Sequence, residues 1–153
     1  MGIGYKHMGD VRRKLFEMLT KIGYVFTNFI HPSCVVPGGS DIGQGNILLE
    51  SVIVEHRCLI GNGNLFFGGA IVGHDSTIGN FITMSVNSAC MGNVLIKDNC
   101  FLGGGSMVRD HVTLNDHVLV GASALAYKDA PAYAVIKAPK SEIDAKARSI
   151  DYL

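Results

Sequence analysis

From Ile42 to Ala126 an apolar residue returns at every sixth position without a slip: Ile42, Leu48, Val54, Ile60, Phe66, Val72, Ile78, Met84, Cys90, Ile96, Leu102, Val108, Leu114, Val120 and Ala126. A fixed short period of this kind marks a stacked repeat, in which each unit buries its apolar side against its neighbours. The period also decides the element, because a helix needs apolar residues about every 3.6 positions, which a strict six cannot supply.

Two residues before most column positions stands a small or β-branched residue, among them Ser40, Val52, Cys58, Ala70, Ser76 and Val94. Residues two apart point to one side of an extended segment. Gly follows the column residue at Gly43, Gly61, Gly73, Gly79, Gly103 and Gly121, where it is expected to permit the sharp corner. Each hexad therefore reads as one short strand and one turn. Three such strands close a triangular coil, so equivalent residues recur at eighteen, and the fifteen hexads predict about five coils. At about 4.8 Å per rung, five coils make an all-β prism roughly 24 Å tall.

Composition sets the outer limits. The 153 residues carry 13 basic and 13 acidic side chains, a balance with nothing to steer the protein towards nucleic acid or anionic membranes, which require clustered positive charge. The apolar runs are far shorter than a bilayer span and the first residues lack a signal-peptide core, so a cytoplasmic protein is expected. Cys58, Cys90 and Cys100 fall on inward positions, as does Cys34 if the register runs back through Val36. They read as core fillers, and no Cys-x-x-Cys pair suggests a metal site.

The chain outside the prism is of a different kind. Residues 1–30 read as a short β-α-β unit: Met1 to Tyr5, a helix capped by Asp10 and stopped by Gly23, then Tyr24 to Ile30. Val11, Leu15, Met18, Leu19 and Ile22 form the apolar stripe of that helix. Residues 31–132 form the β-helix. Residues 133–153 read as an extended piece and a short C-terminal helix with Ser141 as its expected cap and Ile143, Ala147 and Ile150 on one side, and the two helical ends are expected to cover the open prism.

A triangular prism is filled by its own side chains, so a site must lie outside, most naturally in a groove between neighbouring prisms. His56 and His74 are eighteen apart, hence stacked on one corner in consecutive coils. His74 is followed by Asp75, a carboxylate able to orient the imidazole and raise its basicity, as a general base near neutral pH requires. Glu55 offers His56 a carboxylate in the same way, so charge alone does not separate the two.

From Val72 onward, His74-Asp75-x-x-Ile78-Gly79, Gly92-Asn93-Val94, Asn99-Cys100-Phe101-Leu102-Gly103 and Val120-Gly121-Ala122 resemble the sugar O- and N-acetyltransferases of the sialic acid O-acetyltransferase type, a group that includes bacillosamine and perosamine N-acetyltransferases. Asp10-Val11-Arg12 and Ile30-His31-Pro32-Ser33 extend the resemblance over nearly the whole chain. It implies a left-handed parallel β-helix, against the usual right-handed crossover preference. It implies a homotrimer with acetyl-CoA bound between prisms, His74 as catalytic base with Asp75 as its acidic partner, and no metal. Gly92 and Gly104 would line the CoA channel, with Gly121 and Ala122 further along, and the bare Gly92 would let the thioester approach. Thr83 stands where the family often has a second, donor-binding His. The family usually begins with a Rossmann-like domain that binds the nucleotide of a nucleotide-linked sugar, and this chain starts at what looks like its last strand, helix and strand.

Two other readings share the repeat. A gamma-class carbonic anhydrase needs three imidazoles on zinc with a pair five apart, whereas His111 and His117 are six apart and Asp110 stands two coils after His74. A non-catalytic trimeric scaffold with a decayed site needs none of these side chains.

Overall fold

A computed structural model describes residues 4–141. The hexads form two-residue strands in three parallel sheets. Face A holds seven strands from Phe29–Ile30 through Thr83–Met84 to Val135–Ile136, face B five from Ile53–Val54 to Leu125–Ala126, and face C five from Asp41–Ile42 to Thr113–Leu114. The chain visits them in the order C, A, B, which defines three edges, CA, AB and BC. Val54 pairs with Val72, and Cys90 with both Val72 and Val108, so the coil length is eighteen. The architecture is a left-handed parallel β-helix.

The stack runs about six turns, because Phe29–Ile30 pairs with Ile47–Leu48 below the regular hexads and Val135–Ile136 pairs with Leu119–Val120 above them. Strand pairing thus continues past residues 31–132 on both sides. At the upper end the offset shortens, Val120 facing Ile136 and Leu114 facing Ala130.

The column is the core. Every member from Leu48 to Ala126 is buried and Ile42 is half-buried. Removing each large aliphatic side chain from water stabilises the prism by about 1.5–3 kcal/mol. Face A departs from the small-residue rule, with Asn46, Asn64 and Ile82 at the second inward position. The two asparagines are satisfied by a ladder: Asn64 N–H donates to Asn46 Oδ1 (2.9 Å), Ile82 N–H donates to Asn64 Oδ1 (2.8 Å), and the amide nitrogens donate to the Gly61 and Gly79 carbonyls, each at 3.0 Å. Cys58, Cys90 and Cys100 are buried, which raises all three thiols, Cys90 and Cys100 to about 12. Cys34 is half-buried against the same core.

The corner glycines need a correction. The left-handed backbone position lies two residues further on and recurs every six residues: Arg57, Asp75, Asn93 and His111 on edge BC, Gly63, Phe81, Asn99 and His117 on CA, Ser51, Gly69, Asn87 and Gly105 on AB. The glycines directly after the column answer to the next coil instead. A Cβ on Gly61 would lie 2.5 Å from Gly79 O, and one on Gly73 would lie 2.5 Å from Met91 C.

The N-terminal unit also differs from expectation. Gly4 and Tyr5 are not strand, Lys6–Gly9 is a 3-10 turn, and residues 1–3 lie outside the described residues. The helix is α1, Asp10–Lys21, with Gly9 at φ 80 as its N-cap and no side-chain cap, so Asp10 is its first residue rather than the cap. Gly23 ends it as predicted, at φ 92. Of Tyr24 to Ile30 only the last two residues are strand, and they belong to the prism. The helix turns Arg12 and Phe16 onto face A, while Val11, Met18 and Ile22 are exposed. Phe16 stacks on Phe26 and meets Phe81 edge-on. Arg12, 2% exposed, donates to Gly63 O (2.6 Å), Phe81 O (2.9 Å), Ile82 O (3.2 Å) and Thr83 Oγ1 (3.3 Å). Desolvation lowers its pKa to about 10. The expected C-terminal helix lies outside the described residues. No helix among the described residues is long and apolar enough to cross a membrane.

Candidate active site

Edge BC carries the polar cluster. The turn between Ile71–Val72 and Thr77–Ile78 presents His74 and Asp75, and the turn one coil below presents Glu55, His56 and Arg57. Asp75 sits at φ 58 in the left-handed position, tolerated by Asp because its short polar side chain can hydrogen-bond locally.

His74 is held at three points. Its backbone N–H donates to Glu55 Oε2 (2.8 Å), its Nδ1 lies 2.8 Å from Asp75 Oδ2, and its ring stacks on that of His56 at 5.8 Å and 13°. An ionised carboxylate can only accept, so Nδ1 carries the proton and Nε2 keeps the lone pair. Asp75 is in turn forked by Arg57: Nε donates to Oδ1 at 2.6 Å and Nη2 to Oδ2 at 2.8 Å. The Arg57 hydrogen bonds first, and that of His74 second, hold the Asp75 carboxyl well below the usual carboxylate range, and the same contact raises the Arg57 guanidinium. The ambiguity between the two histidines resolves here, because Glu55 binds the backbone of His74 and the His56 ring has no acidic partner among the described residues.

Gly92 stacks above His74 as the spacing predicts, but its bareness serves the ring. A Cβ there would lie 2.6 Å from Cε1 and 2.7 Å from Nε2 of His74, so the imidazole itself fills the space expected for a thioester.

The remaining candidates lie elsewhere. Thr83 belongs to face A, 1% exposed beneath the N-terminal segment, and its hydroxyl already accepts from Arg12. Within one chain it does not join His74. Gly104, Gly121 and Ala122 lie in the AB turns between Phe101–Leu102 and Met107–Val108 and between Leu119–Val120 and Leu125–Ala126. A Cβ on Gly121 would lie 3.1 Å from Ile136 O, whereas a Cβ on Gly104 would meet nothing closer than Val86 O at 3.5 Å. Of the candidate glycines Gly92, Gly104 and Gly121, Gly104 is the one that its own prism does not crowd. His111 and His117 sit on different edges, BC and CA, and no group of three His, Cys, Asp or Glu among the described residues could hold a metal.

Sequence reading assigned Arg57 no role and set Glu55 beside His56, whereas Glu55 binds the backbone of His74. The signal for Arg57 was the same interval that stacked the histidines, since it stands eighteen before Asp75. Glu55 stands nineteen before His74, and its role depends on a side chain reaching up one coil.

No family model matches the sequence. Among solved structures, the chain is similar to PerB from Caulobacter crescentus in complex with CoA and GDP-perosamine, at 29% identity and a TM-score of 0.81, over 85% of this chain and 66% of that one. It is similar to the acetyltransferase domain of PglB from Neisseria gonorrhoeae, at 26% identity and a TM-score of 0.81, over 83% of this chain and 62% of that one. A third similar structure is WeeI from Acinetobacter baumannii, at 25% identity and a TM-score of 0.79, again over 83% and 62%. The chain spans 62–66% of the length of these three solved chains.

Proposed function

We propose, for a chain whose repeat and fold are those of the hexapeptide-repeat sugar acetyltransferases, that it transfers an acyl group, acetyl in the simplest case, from acyl-CoA to an amine of a nucleotide-linked sugar. The observation that carries this reading is the His74–Asp75 pair, held by Glu55 and Arg57 with Nε2 free of hydrogen bonds among the described residues and the side chain 46% exposed. The amine is favoured over a hydroxyl by the similarity to PerB, whose solved complex holds CoA and GDP-perosamine.

In this reading the acceptor nitrogen attacks the thioester carbonyl carbon while Nε2 of His74 takes its proton. The C–N bond forms, the C–S bond breaks, and the imidazolium returns the proton to the departing thiolate, with no covalent enzyme intermediate. Asp75 keeps Nδ1 protonated throughout and stabilises the transient imidazolium. A backbone N–H facing the thioester oxygen supplies the oxyanion contact.

The donor groove needs a second copy. Edges BC and AB flank face B on either side, and face B exposes Ile71, Met107 and Leu125. Three prisms that turn their B faces to a common axis bring edge BC of one against edge AB of the next. His74 then meets the open ledge at Gly104 and Ala122 of a neighbour, a cleft that fits the CoA arm. The assembly this reading requires is a homotrimer, working in the cytoplasm where acyl-CoA is available.

The test is thiol release from acetyl-CoA with a panel of nucleotide-linked amino sugars, for the wild type and His74→Ala. Turnover lost in the variant supports the reading. Equal turnover in both removes His74 from the chemistry, and a wild type that binds no CoA leaves the trimeric scaffold.

A further inference from the structure

Resting on that reading, we propose that Arg57 is a positioning residue for the base: by forking both oxygens of Asp75 from the coil below, it fixes the carboxylate on Nδ1 of His74 and so sets which ring nitrogen is basic. Four geometric facts carry this. Both Arg57 nitrogens reach Asp75, at 2.6 and 2.8 Å. Oδ2 is shared between Arg57 Nη2 and His74 Nδ1, each at 2.8 Å. Arg57 and Asp75 both occupy left-handed backbone positions stacked eighteen apart, so the repeat aligns the fork rather than chance side-chain reach. The Arg57 side chain is 63% exposed. An ion pair that open to water does little for stability, so its fixed bidentate geometry is better understood as orientation.

The fork stops Asp75 from rotating off Nδ1, which a lone exposed carboxylate does freely. The other charged groups around the ring are Glu55, which holds the His74 backbone, and His56, stacked beneath. The next coil offers only Gly92 and Asn93, and Arg109, Asp110 and His111 stand one coil higher. Arg57 is thus the one permanent cation in direct contact with the pair among the described residues.

The test compares Arg57→Gln and Arg57→Lys with the wild type, using nitrogen-15 NMR of the histidine rings across pH and the pH profile of kcat. In Arg57→Gln the neutral His74 should lose its single tautomer, and kcat should fall about tenfold with KM for the donor nearly unchanged. Arg57→Lys should restore neither in full, because the charge returns without the fork. A wild-type tautomer in Arg57→Gln would overturn the proposal. The NMR arm needs no turnover, so a wild type that transfers no acyl group would remove the proposed function while the tautomer result still decides the role of Arg57.

Discussion

Edges BC and CA are built from the same turn, yet they spend their polar atoms differently. Two residues past the column, edge CA carries Asn62, Asn80, Asp98 and Asp116, and each Oδ1 accepts the backbone N–H one coil below: Gln44 to Asn62, Asn62 to Asn80, Asn80 to Asp98 at 2.8 Å each, and Asp98 to Asp116 at 3.1 Å. At the equivalent positions edge BC carries His56, His74, Gly92 and Asp110. There the His74 N–H is satisfied by a glutamate from the neighbouring position, which leaves the imidazole with one nitrogen uncommitted. A polar side chain that the repeat consumes is structural, and one that the repeat leaves over is available for chemistry.

The sharpest way to break this contrast is to truncate each edge. His74→Ala should reduce acyl transfer by about 10²–10⁴-fold, the usual range for a positioned proton acceptor, with an unchanged melting temperature in calorimetry. Asn80→Ala should do the reverse. It strips the acceptor from the Asn62 N–H, costing about 1–3 kcal/mol in urea unfolding, while turnover per folded molecule stays at the wild-type value. If Asn80→Ala lowers specific activity as His74→Ala does, the two edges are not distinct in role.

Gly92→Ala sharpens the comparison on edge BC alone. Its Cβ would displace the His74 ring, so kcat should fall about tenfold with little loss of stability, because Gly92 does not occupy a left-handed position. The smallest effect concerns pH. The Asp75 pKa is depressed in the folded state, so its contribution to stability is present above the unfolded carboxylate value of about 3.9 and is lost as pH falls below it. Asp75→Asn should therefore flatten slightly the acid limb of the melting temperature below about pH 4, and an unchanged limb would show the fork to be stability-neutral.

How far the sequence carries can be read from particular residues. The column placed all fifteen hexad strands from Asp41–Ile42 to Leu125–Ala126, because a bulky side chain every six residues leaves the chain one way to bury it. The same interval stacked His56, His74 and Gly92 correctly, and applied one residue further it reaches the Arg57–Asp75 fork. What it could not supply was direction: whether Gly92 yields space to a ligand or to the ring below depends on a rotamer. Thr83 is a different case. Its surroundings are set by where α1 docks, and that rests on a buried arginine beside a predicted apolar stripe of which Val11, Met18 and Ile22 are exposed and only Leu15 and Leu19 half-buried.

That arginine has a consequence for how the protein can vary. Arg12 grips the prism chiefly through the main-chain carbonyls of Gly63, Phe81 and Ile82. Carbonyls are present whatever side chains a lineage carries on those rungs. The joint between helix and prism is therefore insulated from drift on face A, while a single change at Arg12 would strand the buried Gly63 and Phe81 carbonyls together; Ile82 O would keep the Leu65 N–H.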